Sequence, residues 1–176
     1  MLFKTVITLK YGTANVRIAY LASNDKNDAY KQLCRVIPAS NKKYYDKQYK
    51  SYLLPIEQQN SKICLPANDQ KELSLHQRYL VLHIFIPVGC PWSMELGITD
   101  INGIRRRIYL TTMQGKNEGK YFSFRYTIES IERGVWMFLA INVNSFIDAF
   151  KGQTYRSLDH LVISNSCILR RIFTMK

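Results

Sequence analysis

The chain has 176 residues, of which 25 are Lys or Arg and 13 are Asp or Glu, so its formal net charge is +12. A chain of this length buries about 70% of the surface that its unfolded form exposes, and 47% of its residues are hydrophobic. These values exclude disordered, collagen-like and coiled-coil proteins. They predict a single basic globular domain over residues 1–176, with a core that needs no metal ion or disulfide for stability.

The cysteines indicate free thiols. They stand at positions 34, 64, 90 and 167, with no CxxC pair and no histidine at zinc-finger spacing, so we expect no metal site and no cofactor. Lys4, Lys10 and Arg17 interrupt the N-terminal apolar stretch before a signal peptide could form. The longest apolar run, residues 79–88, is well short of the roughly 20 residues of a membrane helix. These features favour a reducing, intracellular compartment and no membrane partner.

Apolar residues recur at a period of two in short runs bounded by polar turns, as in an all-β sandwich or barrel. The first half of the chain has candidate strands at Phe3–Leu9, Val16–Leu21, Lys50–Ile56 and Lys62–Leu65, and polar loops at Ala22–Lys31 and Pro38–Lys47. Residues 79–87 and 135–143 are apolar on both faces, which predicts the most buried, central strands. In Tyr121–Ile128 the alternation predicts one core-facing row, Phe122, Phe124, Tyr126 and Ile128.

One helix and one irregular strand are predicted nearer the C-terminus. Asn144–Phe150 is the single helical candidate, giving one short helix around residues 144–151 with Asn144 as N-cap and Gly152 in the left-handed conformation after its end. In residues 155–164 the apolar phase slips, which predicts a β-bulge at Asp159 and His160.

A hairpin over residues 94–110 is predicted in detail. Its apolar faces match only if the loop has three residues, 101–103, with Gly103 in the left-handed position of a G1 bulge. In that register Leu96 faces Ile108, and Arg105 and Arg107 point outward together, with Glu95 diagonal to Arg107. Arg106 falls on the apolar face, so its guanidinium should find an acceptor or lie at the rim of the sandwich.

Basic side chains gather in three places. Besides Arg105 and Arg107, the loop with Lys42, Lys43, Lys47 and Lys50 is interleaved with three tyrosines, and Arg170-Arg171 lies near the C-terminus, where simple alternation would place the two residues on opposite faces. A solvated strand face with one weak ion pair would explain Arg105 and Arg107, and contact with an acidic partner would explain them equally. The candidate partner-binding residues are Arg105, Arg107, Lys42, Lys43, Lys47 and Lys50.

Catalytic patterns are absent from the sequence. Residues 115–120 look like a phosphate loop but are one residue short of the required spacing. His83 is predicted to be a core histidine, and Asp159 and His160 should point to opposite faces of a strand. Cys90 has no basic neighbour in the sequence to lower its pKa, and Trp92 is predicted to cap the core. We therefore expect no catalytic residue and no enzymatic activity.

Residues 77–87, 94–100 and 105–110, together with the closing stretches 150–159 and 167–174, resemble the cilia- and flagella-associated protein 20 family. The closing stretches carry the most specific match. The resemblance is closest to the larger proteins that carry this domain at their N-terminus. It implies a jelly-roll-like antiparallel β-sandwich, similar in shape to carbohydrate-binding modules.

The resemblance also implies a non-enzymatic structural role in the cytoskeleton of cilia, flagella or centrioles. Expected partners are tubulin in microtubule walls and other axonemal proteins, with the axoneme or basal body as location and the inner junction of the doublet as one possible place. Tubulin surfaces are acidic, so a basic domain would be steered to them. Two alternatives stay open: a carbohydrate- or nucleic-acid-binding β-sandwich module, and a protein–protein adaptor. The lack of a nucleic-acid motif disfavours nucleic acid.

Overall fold

A computed structural model of the chain shows a sandwich of two β-sheets. It describes residues 6–8, 16–17, 33–57, 60–116, 118–150 and 152–176. Strands account for 54% of the described residues and helix for 6%. The predicted all-β sandwich is therefore confirmed. No described helix is long and apolar enough to cross a bilayer.

The described residues form fourteen strands and one 3₁₀ helix. The strands are β1 (Val6–Thr8), β2 (Val16–Arg17), β3 (Arg35–Ile37), β4 (Tyr44–Asp46), β5 (Ser51–Ile56), β6 (Lys62–Leu65), β7 (Tyr79–Phe85), β8 (Trp92–Asp100), β9 (Arg105–Thr111), β10 (Glu118–Lys120), β11 (Ser123–Thr127), β12 (Trp136–Asn142), β13 (Tyr155–Asn165) and β14 (Cys167–Met175). The 3₁₀ helix, Val143–Ala149, lies between β12 and β13.

Sheet topology fixes which edges of the sandwich lie together. Sheet A has the order β1-β12-β7-β14-β5-β4, with β2 also paired to β14, and sheet B has the order β10-β11-β9-β8-β13-β6-β3. The pairs are antiparallel, except that β11 runs parallel to β9. The short loop 38–43 joins β3 to β4, so one edge of sheet B adjoins one edge of sheet A. The strand β10 forms the opposite edge of sheet B.

The core lies between the sheets and is built by strand alternation. Leu82 and Ile84 of β7 and Leu96 and Ile98 of β8 are fully buried. Trp92 is also fully buried, as predicted, and the cysteines at positions 34, 64, 90 and 167 are free. In β7 five consecutive residues are buried, which confirms it as a central strand, and β12 beside it is mostly buried.

Three sequence predictions are corrected. A short strand, β4, lies inside the predicted loop 38–47, because its backbone pairs with β5. The helix is a 3₁₀ helix that begins earlier than predicted: Asn142, not Asn144, is its N-cap and accepts the Ser145 N–H. Phe122 is exposed, since it lies in the turn before β11 rather than in the strand.

The irregular features agree with the sequence pattern. The pairing of β13 with β8 shifts register between Leu158 and His160, which confirms the bulge at Asp159. Gly152 has a φ of 72° after the helix. The predicted strands at residues 3–9 and 16–21 include β1 and β2; their other residues, and the predicted loop at 22–31, lie outside the described residues.

Candidate partner-binding surfaces

The hairpin of β8 and β9 forms in the predicted register. Leu96 pairs with Ile108, and Gly97 pairs with Arg107. Gly103 has a φ of 79°, and the Asp100 N–H donates to the Ile104 carbonyl, 3.1 Å away, which closes the three-residue loop. Arg107 therefore projects from the outer face of sheet B together with Arg105.

Both outward arginines are paired with carboxylates. Arg105 forms an ion pair with Glu72, and Arg107 lies 3.6 Å from Glu95, the diagonal neighbour that the register predicts. The hydrogen bond with the Tyr109 side chain and the charge of Glu95 raise the pKa of Arg107. Because both arginine side chains are about 70% exposed, each pair contributes at most about 1 kcal/mol to stability. The local charge of this face is nevertheless largely offset.

Arg106 finds its acceptor inside the sandwich. Its guanidinium donates to Asp100 Oδ2 at 3.1 Å and 2.9 Å, and both side chains are almost fully buried. Asp100 Oδ1 accepts the N–H groups of Asn102 and Ile104 in the hairpin loop. Burial raises the pKa of Asp100, but the bonds from Ile104 and Arg106 outweigh it and leave that pKa below its ordinary value. The pair thus ties the hairpin loop to the core.

The lysine loop lies on the other sheet. Lys42, Lys47 and Lys50 are exposed around β4 at the edge of sheet A, whereas Lys43 is half-buried with its ammonium 4.8 Å from the Tyr52 ring centre. β9 and β3 are four strands apart in sheet B, roughly 19 Å at the usual spacing. The structure therefore does not bring the lysine loop together with Arg105 and Arg107.

Two further arginines join the lysine loop, contrary to the alternation argument. Leu169 and Ile172 are both buried, and the register of β14 shifts between Leu169 and Arg171, so Arg170 is the extra residue of a bulge. Its guanidinium donates to the Tyr49 carbonyl at 3.0 Å and lies over the Tyr49 ring. On one face of a regular strand, apolar residues recur every two positions. The interval of three between Leu169 and Ile172 was therefore the signal in the sequence for a bulge.

We call this surface the lysine patch and define it by Lys42, Lys43, Lys47, Lys50, Arg170 and Arg171. The acidic groups whose charge reaches Tyr44, in the middle of the loop, are Asp46 and Glu57. Among the described residues, the six basic side chains of the patch therefore outnumber the two acidic ones whose charge reaches Tyr44. The outward arginines of β9, in contrast, face one carboxylate each.

Arg170 and Arg171 also act on a buried histidine. His83 stacks on Phe138 with ring centres 4.2 Å apart, on the outer face of sheet A. Burial, and then the positive charges of Arg170 and Arg171, lower its pKa to about 4. His83 is therefore neutral and buried, but it lies on the outer face of sheet A and not in the core between the sheets that the sequence predicted.

This shift predicts a pH-dependent stability. Because the folded pKa lies below the unfolded value of about 6.5, the unfolded state binds the extra proton, and stability falls as pH drops. We expect a loss of about 2 kcal/mol between pH 7.5 and pH 5 in urea unfolding, absent in His83→Phe. An equal loss in the variant would show that another group titrates.

The remaining nucleophile and ligand candidates are buried or dispersed. Burial raises the pKa of the Cys34 and Cys167 thiols to about 12, which keeps them protonated and inert. Asp159 accepts a hydrogen bond from Thr99 through Oδ2, and its buried Oδ1 has no hydrogen-bond partner in the part of the chain that the structure describes. Among the described residues no three His, Cys, Asp or Glu side chains could hold a metal ion.

The aromatic residues of the lysine loop and Trp92 do not form a flat binding platform. Tyr44 and Tyr45 are exposed neighbours on a strand, so they point to opposite faces. Tyr49 packs edge-on against Trp136, and Trp92 lies in the core. This scatter argues against a sugar- or base-stacking surface.

Comparison with known proteins identifies the family. The CFA20 domain matches residues 12–176. The chain belongs to the CFA20 domain family. This places it among cilia- and flagella-associated proteins, as the sequence resemblance implied.

Solved structures give a much weaker likeness. One is of PfGH50B, with 10% identity and a TM-score of 0.33, covering 83% of this chain and 23% of that one. Another is an exo-beta-agarase, with 10% identity and a TM-score of 0.22, covering 78% and 22%. The CFA20 chain spans less than a quarter of either length, and the likeness carries no functional argument.

Proposed function

We propose that this CFA20 protein is a non-enzymatic structural component of the ciliary or flagellar skeleton, and that it binds the acidic wall of microtubules through the lysine patch. The axonemal doublet or the centriole wall is its proposed location. The family supports the ciliary setting, and the charge imbalance of the patch supports an acidic partner.

The lysine patch is the single observation that carries the proposal. Lys42 and Lys47 are exposed and lie on a loop anchored by β4, β5 and the contact of Arg170 with Tyr49. A basic loop held against a rigid sheet presents its charge at a fixed place. It therefore suits a repetitive acidic surface better than a mobile basic tail would.

A structural role is proposed because the polar groups of the described region serve the fold. Asp100 and Arg106 secure the hairpin, Thr99 holds Asp159, and His83 stays neutral inside an aromatic cluster. The carboxylate of Asp100 and the guanidinium of Arg106 have partners that explain their burial.

Co-sedimentation of the purified protein with microtubules across a salt series tests the proposal. We expect saturable pelleting whose affinity falls about tenfold between 50 and 300 mM salt, because salt screens exposed charges. Single-stranded nucleic acid serves as competitor and should not abolish pelleting. Absence of pelleting at low salt would overturn the proposal. Salt-independent pelleting would instead indicate an adaptor that uses an apolar surface.

A further inference from the structure

A cleft opens on the edge of the sandwich opposite the lysine patch. It has a volume of about 500 Å³ and lies between the β10–β11 turn and the segment that follows the 3₁₀ helix. That volume lies within the range of ligand-binding pockets. Its lining residues are Arg106, Gly119, Lys120, Tyr121, Phe124, Ala149, Phe150 and Gln153.

The polar groups of the cleft are mostly donors. Arg106 lines the cleft, but its side chain is only 3% exposed and donates to Asp100 and to the Tyr121 carbonyl 2.9 Å away, so Lys120 is the exposed cationic donor. The Gln153 carbonyl oxygen already accepts from Asn102, so its NH₂ group is the part left to bind. No Asp or Glu is found among the described residues that line the cleft.

Aromatic rings form the rest of the walls. The Arg106 guanidinium lies 4.5 Å from the centre of the Phe150 ring, within the range of a cation–π contact. Tyr121 and Phe124 also line the cleft, and Tyr121 is 71% exposed. Because Asp100 offsets the charge of Arg106, Lys120 supplies the net positive charge of the cleft.

Donor groups beside aromatic walls fit an anion that carries an apolar part. We propose that this cleft binds a peptide segment of a protein partner in which glutamate or aspartate side chains flank an aromatic residue. The open mouth, bordered by the exposed ring of Tyr121, favours an extended segment over an enclosed small molecule.

The position of the cleft, away from the lysine patch, lets one domain bind two partners at once. The lysine patch lies at the β3/β4 edge, and β10 forms the other edge of sheet B. A domain with acidic partners at both edges would link them. The peptide site does not depend on microtubule binding, so either can fail without the other.

The test measures fluorescence anisotropy of labelled acetyl-Glu-Glu-Phe-Glu-Glu-amide against the whole protein. Lys120→Glu should weaken binding at least tenfold, because it replaces a charge-assisted contact with repulsion. Lys116→Glu is the matched control, with the same change of charge on an exposed lysine outside the cleft, and should change affinity less than twofold. The peptide with Lys in place of Glu should not bind.

Three results would overturn the proposal. One is no binding by the wild-type protein at 1 mM peptide, and another is an equal loss in Lys120→Glu and Lys116→Glu. The third is binding of free 3-phenylpropionate as tightly as the peptide, which would make the cleft a small-molecule site. Lys42→Glu/Lys47→Glu should keep its peptide affinity, which separates this test from that of the proposed function.

Discussion

Replacing Asp100 by Ala is expected to lower the free energy of unfolding by about 3–5 kcal/mol, because it leaves the buried Arg106 guanidinium without its counter-charge. The Asn102 and Ile104 N–H groups of the hairpin loop lose their acceptor at the same time. An unfolded-state carboxylate has a pKa of about 3.9, and that of Asp100 is lower in the fold. The contribution is therefore complete above about pH 4 and is lost as the pH falls through the folded pKa.

Urea unfolding at pH 7, followed by circular dichroism, measures this effect. The matched control is Asp69→Ala, which removes the carboxylate of an exposed ion pair with Arg35 and should cost less than about 1 kcal/mol. If Asp100→Ala is as stable as the control, the buried pair does not hold the hairpin. A variant too unstable to purify is compared through Asp100→Asn, which keeps one acceptor oxygen.

Reversing two charges of the lysine patch should weaken microtubule binding about thirtyfold. In Lys42→Glu/Lys47→Glu both substituted side chains are exposed, so the fold should persist. We estimate about 1 kcal/mol per reversed charge at low salt, and about 2 kcal/mol for the pair corresponds to that factor. Co-sedimentation at 50 mM salt measures the change, and circular dichroism confirms the fold.

Arg105→Glu/Arg107→Glu is the matched comparison, because it makes the same change of net charge on the outer face of sheet B. We expect a loss of only a few-fold, since Glu72 and Glu95 already offset both arginines. If this variant loses binding and the lysine variant does not, the contact surface is the β9 face. Unchanged pelleting of both folded variants would remove both surfaces.

The sequence by itself determined the β-sandwich class and the register of one hairpin. Alternation decides which side chains share a face. The apolar faces of the two hairpin strands match only with a three-residue loop, which places Gly103 at positive φ. The phase slip at Asp159 gave the bulge for the same reason. These features are local, so short stretches of sequence specify them. Family membership also followed from the sequence.

Tertiary structure alone decided how the basic residues are grouped. The separation of the lysine loop from Arg105 and Arg107 depends on strand order, and strand order depends on contacts between residues far apart in the chain. The bulge at Arg170 joins Arg170 and Arg171 to the lysine loop, and Glu72 reaches Arg105 from 33 positions away. A charge cluster in a sequence shows only that basic residues are close along the chain, whereas a binding surface requires charges on one face that neighbouring carboxylates do not offset.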